Sequence, residues 1–388
     1  MKAPPDTWQR AQAWVGQGVD AIDTPSLVID LDAMERNLAR MATFARERGL
    51  RLRPHAKMHK SAELSRLQMA QGAVGVCVQK TDEALRLAAA GVGNIYISNE
   101  VIAAHKLERL AGAVRDRAAR FALAVDSAEG IDRLAAALQA AGVHEAAAID
   151  VFVEIDVGQG RCGVPPGEAA LALVRLIHQH PAMRWAGLQA YHGGAQHRRG
   201  AAERADAIAA SAQAVRLTLD ALRQHGLHAP LVTGAGTGSL VNEAASGLWG
   251  ELQAGSYLFM DADYATNERD AASPVFEHAL FVKSQVMSRS ADHAVCDAGH
   301  KSHAIDSGLP RVAHPAGLVF ANGGDEHGVL RAAAPGAPLP ALGDTVWLIP
   351  GHCDPTVNLH DFFVGVRGGL TQGHVERLIT IDTRGALA

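Results

Sequence analysis

Five short stretches hold the residue types and spacings able to do chemistry. Arg53-Pro54-His55-Ala56-Lys57-Met58-His59-Lys60 crowds cations around Lys57. In such a setting a semi-buried amine has its pKa lowered and is freed to form a Schiff base. A basic, solvated strand-to-helix loop is the plainer alternative. Glu154-Ile155-Asp156-Val157-Gly158-Gln159-Gly160-Arg161-Cys162-Gly163-Val164 combines glycines that permit sharp turns with Arg161, a permanently charged fork. An ordinary glycine-rich loop fits it equally well. Tyr191-His192-Gly193-Gly194-Ala195-Gln196-His197 offers two histidines, either able to act as a general base near neutral pH. Thr233-Gly234-Ala235-Gly236-Thr237-Gly238-Ser239, joined by Gly255-Ser256-Tyr257, suits the cradling of a phosphate. In Pro350–Asp361, His352 and Asp354 are two apart, so on an extended strand both point to one side and Cys353 points away. A histidine with a carboxylate suits a borderline or hard divalent ion. A sixth polar group, Asp325-Glu326-His327, reads as a turn.

The elements that must position these groups alternate between residues 51 and 256. Strands are expected at Arg51–Ala56, Ala73–Gln79, Asn94–Ser98, Arg120–Val125, Ile149–Ile155, Trp185–Tyr191, Pro230–Thr233 and Glu251–Ala254. Helical stretches lie between them, among them Thr81–Ala89, Glu168–His178 and Leu217–His225. The runs are short, continuous and apolar, as in parallel strands buried on both faces. Eight of them predict an α/β fold with an N-terminal (β/α)8 TIM-type barrel, with a doubly wound sheet as the competing layout. The chemical stretches would then lie at the C-terminal ends of strands, where barrels place their active sites. Ser26–Leu31 is a spare ninth strand, followed by a helix over Asp32–Arg48. Beyond about residue 270 helical periodicity fades. Short β runs at Ala279–Met287, Ala294–Asp297, Leu318–Ala321, Thr345–Ile349, Phe362–Arg367 and Arg377–Asp382 predict a C-terminal all-β domain. Ala332–Pro340, rich in Ala, Pro and Gly, reads as an exposed loop.

Composition narrows the functional classes. The 388 residues carry 36 Lys+Arg against 41 Asp+Glu, a net charge of −5, which gives no basic footprint for nucleic acid. No apolar run approaches the roughly 20 residues that cross a bilayer, so no membrane partner is expected. Four scattered cysteines make no disulfide framework, and Met1–Gly16 lacks a signal peptide's basic start and apolar core. The expected location is the cytoplasm.

Asp23-Thr24-Pro25-Ser26-Leu27-Val28-Ile29-Asp30-Leu31, Arg53–Lys60, Asp156–Val164, Leu188–His197, Glu251–Tyr264 and His352–Asp361 together resemble the metal-dependent D-threonine aldolases. These are fold type III pyridoxal 5'-phosphate (PLP) enzymes related to alanine racemase and D-serine dehydratase. The resemblance runs from about residue 22 to the C-terminus and leaves the first twenty residues outside it. It implies three parts: 1–31, whose strand joins the β domain; 32–270, the PLP-binding barrel; and 271–388, the β domain with the metal site. It implies Lys57 as the Schiff-base lysine, His197 as the catalytic histidine, and His352 and Asp354 as ligands of a divalent metal, manganese first, with magnesium or cobalt as alternatives. Arg161, Tyr191 and His192 fall by the cofactor ring. Gly236, Thr237, Gly238, Ser239, Gly255, Ser256 and Tyr257 fall at its phosphate. Gln253 stands where racemases of this fold carry an arginine facing the pyridine nitrogen, which argues against racemization.

The implied activity is retro-aldol cleavage of a small β-hydroxy-D-amino acid to glycine and an aldehyde, in a homodimer. The 3-hydroxy-D-aspartate aldolases share these motifs and stay open as an alternative. Dehydratases of the fold tend to carry His-x-Cys at the metal, where this chain has His-x-Asp. They are the second alternative, with a keto acid and ammonia as products. A cofactor-binding regulator on the same barrel would lack the β domain and its His/Asp pair.

Overall fold

The computed structural model describes residues 5–388. In chain order the elements are α1 (Pro5–Gln12), β1 (Ser26–Asp30), α2 (Leu31–Glu47), β2 (Arg51–Leu52), α3 (Ala62–Ala70), β3 (Val76–Val78), α4 (Thr81–Ala89), β4 (Asn94–Ile97), α5 (Ala104–Arg115), β5 (Arg120–Val125), α6 (Ala128–Ala140) and β6 (Ile149–Glu154). They continue with α7 (Glu168–Ile177), β7 (Met183–Ala190), α8 (Ala201–Gln224), β8 (Val232–Gly234), α9 (Leu240–Ser246) and β9 (Glu251–Leu252). The remaining elements are β10 (Leu280–Arg289), β11 (Ala294–Cys296), β12 (Arg311–His314), β13 (Leu318–Asn322), β14 (Gly328–Ala332), β15 (Thr345–Ile349), α10 (Cys353–Val357), β16 (Phe362–Arg367) and β17 (His374–Thr380).

Strands β2 to β9 form one parallel sheet in the order β2-β9-β8-β7-β6-β5-β4-β3. Its open side is drawn together by a parallel bridge from His55 to Cys77 and by the Cys77 N–H donating to the Pro54 carbonyl at 2.8 Å. This is the barrel expected from the alternation, with shorter strands. β2 has only two residues before Pro54, which has no N–H for a ladder. Helices α4 to α8 pack apolar stripes on the outside. In α2, Leu31, Met34, Leu38, Met41 and Ala45 are buried at helical spacing, and the Asp30 carboxylate caps its start by accepting the Ala33 N–H at 3.0 Å. The lumen is mixed: Tyr96 stacks on Phe152 at 4.7 Å, while Glu251, fully buried, holds Arg53 at 3.0 Å.

Helix α8 differs from expectation. It begins at Ala201, well before the Leu217 start read from the sequence. Its first half is rich in alanine, a strong helix former that leaves little amphipathic contrast.

The second sheet has the order β13-β14-β11-β10-β1-β16-β17, with β15 pairing β10 and β12. The spare strand β1 lies inside it, antiparallel to β10 and parallel to β16. Leu27 and Ile29 enter one core, and Val28, on the opposite face, enters another beside Phe281 and Trp347. Two strands of this domain, β12 and β14, lie outside the β runs read from the sequence. The domain is mostly rather than wholly sheet, because α10 interrupts it between β15 and β16. The chain end returns to the barrel: Asp382 accepts the Ala62 N–H at 2.7 Å, and the Ala388 carbonyl accepts the Asp82 N–H at 3.0 Å.

Candidate active site

Lys57 follows β2 in a single 3-10 turn, Ala56–Met58, and its Nζ lies 3.4 Å from Asp354 Oδ2. The Asp354 carboxylate is the chief influence on its ammonium and holds its pKa above the ordinary lysine value, against burial and Arg161. This corrects the depressed pKa expected from the cation-rich octapeptide. The local sequence shows the cations but not the anion brought from the β domain. His55, almost buried, faces Gln79 at 2.9 Å and Ser98 at 3.3 Å through Nε2, and burial pushes its pKa well down, so it is neutral.

The His352/Asp354 pair sits at the entry to α10. His352 is the extended residue before the helix and Asp354 is in its first turn. The extended strand expected here is therefore absent. The helical turn still sets His352 Nε2 3.8 Å from Asp354 Oδ1. His352 Nδ1 donates to Asp306 Oδ2 at 2.7 Å, which leaves Nε2 as the free nitrogen. Asp354 Oδ1 is buried and has no hydrogen-bond partner among the described residues. Cys353 is buried and its N–H donates to Asp261 Oδ2, whose other oxygen accepts the Tyr264 N–H. Asp261 thus ties the barrel's last loop to the metal-type turn.

His197 closes a third side. Its Nδ1 is 2.9 Å from Asp263 Oδ2, and Arg199 pairs with the other oxygen of that carboxylate. A carboxylate only accepts, so Nδ1 carries the proton and Nε2 is the available base. The side chain is 53% exposed, against 7% for Asp263, so a solvent-accessible imidazole is anchored by a buried acid.

One cavity is lined by Lys57, Arg161, Tyr191, His197, Gly236, Thr237, Gln253, Gly255, Ser256, His352 and Asp354, with His55, Gln79, Ser98, Gln189 and Tyr264. Arg161 stands over the Tyr191 ring at 5.6 Å, and burial raises the Tyr191 phenol. Gln253 is buried, donating to Gln189 at 2.7 Å and Thr233 at 2.8 Å.

Four expected contacts are placed elsewhere. His192 accepts the Ala195 N–H through Nδ1 at 3.2 Å, and this turns its ring toward Gly158. Gly238 faces away and gives its N–H to Gln196. Ser239 is committed to Gln196 and Glu243. Tyr257 points into the core, where its hydroxyl meets Gln68 at 3.1 Å. Asp263 and Asp306, which orient the two histidines, escaped the sequence reading. Asp263 lies inside the stretch Glu251–Tyr264, but nothing in the spacing links it to His197.

The donor set fits PLP: an amine, a guanidinium, two hydroxyls and two glycines converge, and a Cβ on Gly255 would come within 2.7 Å of the His55 carbonyl, so the backbones meet closely there. The orphaned Asp354 oxygen beside a free imidazole nitrogen fits a divalent cation.

Comparison with known proteins agrees. A family model described as "Alanine racemase, N-terminal domain" matches residues 29–263, and one described as "Putative serine dehydratase domain" matches 279–366. The chain is 45% identical to a D-threonine aldolase of Arthrobacter sp., covering 95% of each. It is 39% identical to a 3-hydroxy-D-aspartate aldolase of Paracoccus denitrificans, covering 95% of this chain and 94% of the relative. A crystal structure of D-threonine aldolase from Filomicrobium marinum superposes with a TM-score of 0.91 at 46% identity, covering 96% of this chain and 98% of that one. With an alanine racemase-type barrel, a sheet domain that delivers a His/Asp pair, and full-length similarity to a carbon–carbon lyase, this chain belongs to the D-threonine aldolase family of fold type III PLP enzymes.

Proposed function

We propose that this protein is a PLP- and divalent-metal-dependent aldolase that cleaves D-threonine and related β-hydroxy-D-amino acids to glycine and an aldehyde. The observation that carries the reading is the convergence of Lys57, the His197–Asp263 pair and the His352/Asp354 pair on one cavity. Lys57 would hold PLP through its amine, Arg161 and Tyr191 would border the ring, and Gly236, Thr237, Gly255 and Ser256 would hold the phosphate. His352 Nε2 and Asp354 would hold the metal, which would lower the pKa of the substrate's β-hydroxyl. Bound PLP supplies an acceptor for the electron pair left on Cα when the Cα–Cβ bond breaks.

The chain's own work is orientation and proton handling. His197 Nε2 takes the β-hydroxyl proton while Asp263 fixes Nδ1 and balances the imidazolium that forms. The O–H electron pair becomes the second bond of the aldehyde carbonyl, and a proton returned to Cα completes glycine. Gln253, a neutral residue lining the cavity, would stand where racemases of the fold carry an arginine, and would disfavour racemization. Manganese and a homodimer, on the strength of the family resemblance, and a cytoplasmic location and a division at residue 270/271, on the sequence pattern, complete the proposal.

Product analysis tests the reading. Acetaldehyde and glycine in equal amounts from D-threonine are expected. 2-Oxobutanoate and ammonia would replace the aldolase with a dehydratase.

A further inference from the structure

Glu243, on α9, is 1% exposed and outside the active-site cavity. Its Oε1 accepts the Ser239 hydroxyl proton at 2.8 Å. Its Oε2 is buried without a partner among the described residues, and burial pushes the carboxyl up to about 7. A group so poorly solvated in the folded chain calls for a positional role.

The hydrogen-bond directions supply one. A hydroxyl has a single proton. Ser239 gives it to Glu243 and must therefore accept from Gln196 Nε2, 2.6 Å away. Together with the His192 carbonyl, which accepts from the same Nε2 at 3.3 Å, this sets which end of the Gln196 amide carries the oxygen. Gln196 Oε1 then faces the Gly238 N–H at 2.9 Å and packs against Gly236, where a Cβ would overlap it. With Glu243 removed, nothing holds the Ser239 proton away from Gln196. The Gln196 amide, still held by the Gly238 N–H and by its own Nε2 donation to the His192 carbonyl at 3.3 Å, then loses its one oriented side-chain acceptor, and the loop packed on it loosens.

Gln196 also immediately precedes His197. Its carbonyl accepts from Asn267 Nδ2 at 2.9 Å, and Asn267 is held by Arg199.

We propose that Glu243 is a positioning residue that, through Ser239 and Gln196, fixes the 236–238 loop for binding the cofactor's phosphate. This rests on the reading of that loop as the phosphate cradle. The chemical class selected is a phosphomonoester, so the effect must separate PLP from pyridoxal, which has the same ring and aldehyde without phosphate.

The test measures Kd for PLP and for pyridoxal on the full chain by absorbance titration, with the 31P signal of bound PLP followed in parallel. Glu243→Leu and Ser239→Ala are each expected to weaken PLP about 5- to 30-fold, the range for one buried hydrogen bond lost, and to shift or broaden the 31P line. Pyridoxal is expected to stay within about twofold, and Glu243→Gln, which keeps an acceptor for Ser239, to bind PLP like wild type. Unchanged PLP affinity in both variants, or equal weakening of pyridoxal, overturns the proposal. If Glu243→Leu does not fold, Ser239→Ala alone decides it. Thr237→Ala separates the two levels. If it leaves the PLP-to-pyridoxal ratio unchanged, the phosphate reading of the loop fails. If it changes that ratio while Glu243→Leu and Ser239→Ala do not, only the relay fails.

Discussion

Replacing Asp263 by Asn tests the proton-handling account in isolation. The new amide oxygen can keep Arg199, so the loop stays in place, while the amide NH2 faces His197 Nδ1. That nitrogen must then accept, and the ring proton moves to Nε2, the atom required as base. The bond at stake is charge-assisted at 2.9 Å, worth about 1.5–3 kcal/mol. Because the His197 side chain is 53% exposed, water partly compensates, and the lower half of that range applies. At 1.36 kcal/mol per decade this is about a 10- to 45-fold loss in kcat. A buried triad with the same tautomer fault sets the upper bound near 10⁴. The assay is the initial rate of aldehyde release in a double-mutant cycle with His197→Ala, PLP absorbance confirming equal loading. The second substitution should cost nothing further once the imidazole is gone. A loss under about threefold, or the same loss in the His197→Ala background, would refute the dyad.

Other expectations follow from the same structure. Lys57→Ala should remove both turnover and the visible absorbance of the lysine-bound cofactor. A retained visible band would place the cofactor elsewhere. His352→Ala and Asp354→Ala should each lower bound metal, read by elemental analysis, by at least about tenfold while PLP still binds. Full metal content in both variants would dissolve the proposed pair. Glu277 is held down to about 2 by Arg36 and Arg40 of α2. Its folded pKa lies below the unfolded 4.5, so its contribution is complete above that pH and is lost as pH falls toward 2. With all three side chains a third or more exposed, it is about 0.5–1 kcal/mol. The stability gap between wild type and Glu277→Gln in denaturant titrations should hold steady from pH 7 to about 4.5 and close as the pH falls from there toward 2. A gap that widens in acid contradicts the assignment.

What the sequence made legible depended on range. Lys57 and the His352/Asp354 pair stood out as candidates because a short segment holds residue type and spacing together, whereas His197 was told from His192 only by the family resemblance. The partners that orient the histidines did not stand out. Asp263 reaches His197 across 66 residues and Asp306 reaches His352 across 46, with no local pattern tying either pair. The strands of the parallel sheet announced themselves by continuous burial, as in β6, where every residue is buried. Strand β12 did not, because its four residues are exposed or half-buried and show no alternation. The His352–Asp354 geometry was anticipated on a strand and is produced by a helical turn. Two residues apart meet in either conformation when a third segment, here Asp261 on the Cys353 N–H, pins the backbone. Ser239 and Tyr257 had the types of phosphate ligands, but tertiary hydrogen bonds had already claimed them.

The central claim is stereospecific, metal-dependent carbon–carbon cleavage, and one measurement addresses it directly. The purified protein with PLP is given D- or L-threonine, with manganese or with chelator, and acetaldehyde is followed alongside 2-oxobutanoate. The account predicts acetaldehyde from the D isomer alone, lost on chelation and restored by manganese. Cleavage of the L isomer, turnover that survives chelation, or keto acid as the product would contradict it.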